Sequence, residues 1–378
     1  MGVVIGVFLL AFVLLALIVL IYAAFMFWCA LRFKPQVVPE PINPCTEGVS
    51  VLIPFRDEVL NLGNCLNAFV QQNKVSFPFE ILLINDGSED YSETVVAQFE
   101  NRLPLTLLLS NGIGKKAALQ TGIDAAKYNI IYTIDADCVV KPNTLAYMGN
   151  AFQAENLNML CGLVNLAPAM GLFQNLQAAE SAALVGISAV MLNAQKPATC
   201  NGANLMFRKD VFFKLNGYEN YKQLSSGDDD FLMHSFFNLN STACRYAIHP
   251  DAVLVTQAEK SISTFFAQRA RWASKRKHYI FPYNKYLFVL MGLKFLVFWS
   301  MLFFMVISYF YWGDNTPLLF FLLLYMSELA FAKRLGKVLK LNCLSILILP
   351  LYQFYLPLVL IYSKLFRIQW KGRIIDAK

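Results

Sequence analysis

No charged residue occurs before Arg32, and this unbroken apolar stretch limits the chain more than any other feature it carries. In lipid only a helix satisfies its own backbone groups, and about 20 residues at 1.5 Å rise cross the roughly 30 Å hydrocarbon core, so 3–30 is long enough to span. The stretch exceeds the ~7–15 residue apolar region of a signal peptide and lacks a basic leader, and Arg32 and Lys34 follow it, so it reads as an anchor running from outside to inside.

The far end of the chain repeats the signal. A second span is expected over 288–312, approached by Arg269, Arg271, Lys275, Arg276, Lys277 and Lys285, the cationic flank that favours the cytoplasmic side. A third, over 318–332, returns to the basic run Lys333, Arg334, Lys337 and Lys340. The last apolar segment, 344–362, contains Pro350 and Pro357 and has two readings. A full crossing leaves Lys364, Arg367, Lys371 and Arg373 outside, against the positive-inside bias; a re-entrant or interfacial hairpin keeps that tail inside.

Composition agrees with a chain partly in lipid: 57% of residues are hydrophobic and 15% charged, and the mean hydropathy is +0.47, too apolar for an ordinary soluble enzyme. The formal charge of +7 sits beside the apolar spans and forms no basic stripe in the middle, which points to anionic lipid head groups and away from nucleic acid. Eight scattered cysteines with no Cys-x-x-Cys pair fit reduced, packed thiols, and His234, His249 and His278 lack metal-site spacing. The expected organisation is an anchor at 1–31, a cytoplasmic domain at 45–280, a membrane region at 286–363 and a basic tail at 364–378. Together these describe a multi-pass integral membrane protein, expected in the plasma membrane of a bacterium.

Between the apolar ends, VSVLIP, a helical stretch over 59–72, FEILLIND, another helix, LTLLLS, GKKAALQTGIDAAK and IIYTIDAD alternate strand and helix signals. That order predicts an α/β fold with a parallel, doubly wound sheet, which binds ligands beyond the carboxyl ends of its strands. Three strands end in polar residues there, at 56–58, 85–87 and 135–137. The second half, 158–277, is less regular, with a long helix over 172–192, the segments CNGANLMFRKDVF and SGDDDFL, and a basic helix containing QRARW.

Asp135 and Asp137, two apart at a strand end, project to the same side and suit a divalent cation shared with two phosphates; a turn or cap is the plainer use of such a pair. Asp86, before Gly87 and Ser88, either reads a nucleobase edge or ends a strand. Gly114, Lys115 and Lys116 open a helix whose free N–H groups favour an anionic diphosphate, or simply start that helix. Asp228, Asp229 and Asp230 repel one another unless a cation, a base role or a helix N-terminus offsets the repulsion. Gln268, Arg271 and Trp272 fall near one helix face and could hold an acceptor, a leaving diphosphate or lipid head groups.

In order and spacing, VSVLIPFRDE, ILLINDGSED, GKKAALQTGI, TIDADCVVKP, SGDDDFL and QRARW resemble the membrane-bound family 2 glycosyltransferases of the GT-A fold, which include ceramide glucosyltransferases and cellulose and hyaluronan synthases. The resemblance covers 49–272. It implies an inverting transfer from a nucleotide diphosphate sugar, a UDP-hexose by family habit, with Pro54, Glu58 and Asp86 around the nucleoside and Lys115 near the sugar-nucleotide. Asp135 and Asp137 would serve the metal-diphosphate, Asp137 as the more direct ligand of Mg2+ or Mn2+. Aligned on Leu232, Asp229 takes the place of the general base, with Asp228 the neighbouring alternative. A base suits a hydroxyl acceptor, and a site facing the bilayer suits a membrane lipid. Processive synthases build their channels from more spans than the three or four expected of this chain, which weighs against polymer synthesis. A synthase subunit completed by a partner and a non-catalytic scaffold are the competing readings, with a nucleotidyltransferase behind them.

Overall fold

The computed structural model describes residues 2–36, 46–167, 169–221, 227–274, 282–365, 368–370 and 373–375. The expected anchor is α1 (Gly2–Arg32). The domain then alternates through β1 (Val49–Phe55), α2 (Leu62–Val70), β2 (Phe79–Asn85), α3 (Ser92–Ala97), β3 (Leu105–Leu109), α4 (Lys115–Ala125) and β4 (Ile130–Ile134), the elements that the periodicity predicts. Next come α5 (Thr144–Ala154), β5 (Met159–Cys161), β6 (Leu163–Leu166), the long α6 (Gly171–Asn193), β7 (Asn204–Arg208), α7 (Lys209–Lys214), α8 (Asp228–Leu239), β8 (Cys244–Tyr246), β9 (Val253–Thr256) and α9 (Ile262–Ser274).

The main sheet has seven strands in the order β3-β2-β1-β4-β7-β5-β8. β3, β2, β1 and β4 are parallel, with Phe55 level with Asn85, so their carboxyl ends share one edge. The second half, read as less regular, adds antiparallel pairing to the parallel sheet expected of the first half. β7 runs antiparallel to β4 and β5, because the chain leaving α6 re-enters the sheet at the edge where β4 ends, and Asn204 lies opposite Ile134. β6 and β9 form a separate parallel pair.

Side chains alternate between two cores. Val51 and Ile53 pack with Leu66 of α2, Val96 of α3 and Phe152 of α5. Leu52 faces the other way, towards Leu119 of α4 and Ala182 of α6, in a core that continues without interruption into the helices outside the domain. Those helices are α1, α10 (Pro282–Trp312) and α11 (Thr316–Leu339). Gly186 of α6 makes the junction close: a Cβ there would meet the Leu335 side chain at 2.2 Å.

Among the described residues three helical segments are long and apolar enough to cross a membrane: Gly6–Arg32, Gly171–Asn193 and Pro282–Tyr311. Of these, Gly171–Asn193 is α6, which is enclosed mostly by protein. α11 carries Glu328, Lys333, Arg334 and Lys337 and is not among the three; it lies along α1 and α10. The Arg32 end of α1, the Pro282 end of α10 and the Leu339 end of α11 all meet the domain. There the Gln36 N–H donates to the Ile248 carbonyl (2.8 Å), Asn284 Nδ2 to the Ala198 carbonyl (2.5 Å) and Asn165 Nδ2 to the Leu339 carbonyl (2.8 Å). Midway along the bundle, Lys294 Nζ stands 2.5 Å from Glu328 Oε1 with both side chains 2% exposed or less, and the Tyr22 hydroxyl donates to the same oxygen at 2.8 Å.

The segment with two expected placements breaks at its prolines into α12 (Cys343–Ile348), a 3-10 stretch (Leu349–Tyr355) and α13 (Leu356–Leu365). None of the three reaches the ~20 residues of a crossing. α13 lies against α9. Seven cysteines fall among the described residues, all unpaired and five of them buried. His234 is buried against the Ala198 carbonyl and His249 stacks on Tyr147, as packing roles require; His278, with Lys275, Arg276 and Lys277, lies outside the described residues.

Candidate active site

The loop after β1 and the loop after β2 leave the sheet side by side and are tied together. Glu89 N–H donates to Asp57 Oδ1 at 2.8 Å, Asp57 N–H to Ser88 Oγ at 3.1 Å and Glu58 N–H to Ser92 Oγ at 2.9 Å. Pro54 sits one residue before the end of β1, level with Ile84. Glu58 accepts from Asn61 Nδ2 at 2.7 Å, and its charge still reaches Asp137.

Asp86, 5% exposed, accepts the Gly114 N–H at 2.7 Å. Gly114 precedes α4 with φ of +97°, a conformation that costs glycine little, so the turn brings Lys115 across to β4. Lys115 Nζ lies 2.5 Å from Asp135 Oδ1. The GKK segment therefore does more than start a helix: its first lysine reaches the Asp-x-Asp pair.

Asp137 stands at the lip of this edge, with Thr256 Oγ1 donating to its Oδ2 at 3.1 Å. The residue as a whole is exposed, yet protein packs round its carboxylate. That enclosure, followed by the negative charges of Asp135 and Glu58, raises the carboxyl to about 6, against the Thr256 hydrogen bond and the Lys115 cation. The same carboxylates help burial to push the Cys65 thiol well up. Such crowding of negative charge is what a cation relieves. Among the described residues no three His, Cys, Asp or Glu side chains could hold a metal by themselves, so the edge offers hard oxygen donors but an incomplete set. This fits an ion of the Mg2+ or Mn2+ kind that keeps part of its shell for substrate phosphates and water.

Asp229 is brought to the same edge through the loop between α6 and β7. Gly202 N–H donates to Asp229 Oδ2 at 3.0 Å, and the Gly202 carbonyl accepts from Thr133 Oγ1 at 2.8 Å, two residues before Asp135. The next carboxylate, Asp230, is buried and accepts the Cys200 N–H at 2.8 Å. Two of the three adjacent aspartates thus grip one loop, at the N-terminus of α8 where the helix dipole favours negative charge. The backbone of Asp228 opens α8; its side chain lies outside the described residues.

α9 follows Thr256 after a short turn. Gln268 Nε2 donates to Glu259 Oε1 at 2.8 Å, and Trp272 lies 4.6 Å from the Arg269 guanidinium. Arg271 is half-buried on the same helix. Thr256, Glu259 and the roles of Gly202 and Arg269 inside the segments that hold them did not emerge from the sequence. Each acts through a partner distant in the chain, and no spacing rule signals them.

The model of the family described as glycosyl transferase family 21 matches residues 11–378. The chain belongs to that family. That membership is in line with the motif resemblance. This family 21 chain is 26% identical over 254 residues to the probable glycosyltransferase YdaM of Bacillus subtilis, covering 62% of this chain and 56% of that one. It is 24% identical over 245 residues to the poly-beta-1,6-N-acetyl-D-glucosamine synthase of Staphylococcus epidermidis, covering 64% and 57%. The chain thus spans just over half the length of these curated relatives. Among solved structures it resembles the mannosyltransferase PcManGT of Pyrobaculum calidifontis, solved with GDP-Man and Mn2+, at a TM-score of 0.54 and 18% identity over 93% of this chain and 99% of that one. At that identity the likeness concerns the fold alone.

Proposed function

We propose that this chain transfers a sugar, with inversion, from a nucleotide diphosphate sugar to a hydroxyl of a membrane lipid. The observation that carries the reading is the convergence of Asp135, Asp137, Glu58 and Lys115 at one sheet edge, beside the loop that holds Asp229. In this reading Asp86, with Pro54 and Glu58, receives the nucleoside, and Lys115 exchanges Asp135 for the donor's diphosphate. Asp229 takes the proton from the attacking hydroxyl, a role worth roughly 10²–10⁴-fold in rate. Gln268, Arg271 and Trp272 face the acceptor and the departing diphosphate, whose charge Arg271 offsets. Asp135 and Asp137 would hold Mg2+ or Mn2+, which when bound neutralises diphosphate charge. The Mn2+ and GDP-Man held by the mannosyltransferase support a divalent ion and widen the choice of donor beyond UDP-glucose.

A lipid acceptor and a cytoplasmic domain are supported by the helix ends. Arg32, the start of α10 and the basic end of α11 gather at the domain, where the positive-inside bias expects the cytoplasm. For 344–362 the hairpin reading is favoured, because Tyr355 and Tyr362 rest on Phe265 and Phe266 of α9 at 5.0 and 5.6 Å and keep the segment at the domain face.

The test is release of nucleoside diphosphate by the full chain in native lipid extract, over a panel of radiolabelled nucleotide sugars including UDP-glucose and GDP-mannose, with Mg2+ or Mn2+. Label in the organic phase supports the proposal. Label in insoluble or long-chain aqueous material moves the reading to polymer synthesis, and absence of turnover with every donor defeats it in favour of a scaffold or a missing partner.

A further inference from the structure

Arg269 lies inside QRARW but was given none of the site roles read for that segment, yet it is the most enclosed charge of α9. Its guanidinium donates through Nε at 3.0 Å and Nη2 at 2.6 Å to one oxygen of Glu180 on α6, with the two side chains 4% and 6% exposed. The same guanidinium lies over the rings of Phe265 at 4.4 Å and Trp272 at 4.6 Å, and its Nη1 donates to Gln268 Oε1. One buried cation therefore touches two of the three α9 residues assigned to the acceptor side.

α6 grips this region twice from one face. Gln177 and Glu180 are three apart, so they share a side of the helix. Gln177 Nε2 donates to the Glu259 carbonyl at 3.0 Å, and Glu259 N–H returns a bond to Gln177 Oε1 at 3.0 Å. Glu259 in turn accepts from Gln268 Nε2 at 2.8 Å. Gln268 is thus held at both ends of its amide, by Glu259 and by Arg269. A buried ion pair adds little net stability over a well-packed apolar pair, whereas a planar guanidinium fixes geometry through its fork and its stacking face.

We propose that Glu180 is a positioning residue for glycosyl transfer, acting through Arg269 to fix the side chains of Gln268 and Trp272. The proposal rests on the reading that α9 faces the acceptor and the departing diphosphate.

The experiment uses the full chain in lipid with UDP-glucose or GDP-mannose, whichever turns over, and reads turnover per folded molecule beside the thermal transition. In Glu180→Gln, transfer per folded molecule falls about 10–100-fold, and the unfolding temperature falls as well because Arg269 loses its buried counter-charge. Arg269→Lys keeps the charge and loses the fork and the flat face, and turnover falls about tenfold in folded protein. The exchange Glu180→Arg with Arg269→Glu restores pairing but moves the guanidinium away from Trp272 and Gln268. It recovers the unfolding temperature relative to either single change and leaves transfer low.

Wild-type turnover per folded molecule in Glu180→Gln or Arg269→Lys overturns the inference, as does an exchange variant that recovers both stability and transfer. Gln268→Ala and Trp272→Ala, run alongside, separate the two levels. If they leave transfer unchanged, the assignment of α9 fails; if they impair it and Glu180→Gln does not, only the positioning role fails.

Discussion

The sheet edge and the helix bundle each hold a lysine 2.5 Å from a carboxylate, and the two regions use that distance differently. Lys115 and Asp135 are 27% and 35% exposed, with Asp137 and Glu58 near enough to add their charge. Their partners are exchangeable, because water and incoming phosphates can compensate either ion. Lys294 and Glu328 are closed off from solvent, and Tyr22 binds the same carboxylate from a third helix. No exchange is open to them. Separation alone therefore does not say what an ion pair is for; the surroundings decide whether it opens to a ligand or locks helices together.

The largest effect is expected from breaking the closed pair. Lys294→Ala leaves Glu328 as a buried, uncompensated carboxylate, a change that costs about 3–5 kcal/mol, and should abolish a sharp thermal transition in detergent. Replacing both residues by leucine should recover most of that loss. If Lys294→Ala unfolds at the wild-type temperature, the two regions are not different in kind.

At the open edge the losses should fall on chemistry. Asp229→Asn keeps donor binding and lowers transfer by roughly 10²–10⁴-fold. Asp137→Ala lowers transfer and also weakens metal-dependent donor binding, as read by calorimetry with Mn2+ and nucleoside diphosphate. Equal loss of donor affinity in both variants would erase that division of roles. Lys115→Ala should raise the donor KM about tenfold with less than about 1 kcal/mol of stability lost, since the pair is partly exposed.

The smallest effect concerns protons. With its carboxyl raised to about 6, Asp137 keeps its proton to a higher pH in the fold than in the unfolded chain. Its contribution to metal-free stability is therefore present at low pH and lost as pH rises through about 6. Binding of a cation needs the ionised form, so the Mn2+ concentration for half-maximal turnover should climb as pH falls below about 6, by about tenfold per unit at the acid end. Asp137→Asn should remove that slope.

Much of the carboxylate-bearing sheet edge was legible because parallel strands bring together residues that sequence motifs merely place at strand ends. Once Phe55 is level with Asn85, the RDE and NDG segments become neighbours, and Asp135 follows on the adjacent strand. The GKK helix start and the QRARW helix were legible for similar local reasons. The helical character of 172–192 was also visible, but its apolar composition does not distinguish a helix enclosed by protein from one in lipid. The antiparallel turn of β7 was hidden, since it depends on which edge the chain re-enters. Hidden too were the partners: Thr256 lies 119 positions from Asp137, Glu180 lies 89 from Arg269, and Tyr22 lies 306 from Glu328. Periodicity reports which face of an element is apolar, not which distant group will meet it.

The Lys294–Glu328 contact also bears on how the chain is made. Lys294 leaves the ribosome before Glu328, and α10 entering the bilayer alone would carry an unmatched cation at mid-depth. Three residues separate α10 from α11, so the economical course is delivery of both helices together, as a hairpin already neutral inside. α1, translated long before, would then supply the Tyr22 hydroxyl that completes the set. Assembly of the bundle would thereby be ordered by charge, and a ribosome stalled between the two helices should leave the first one held at the insertion machinery.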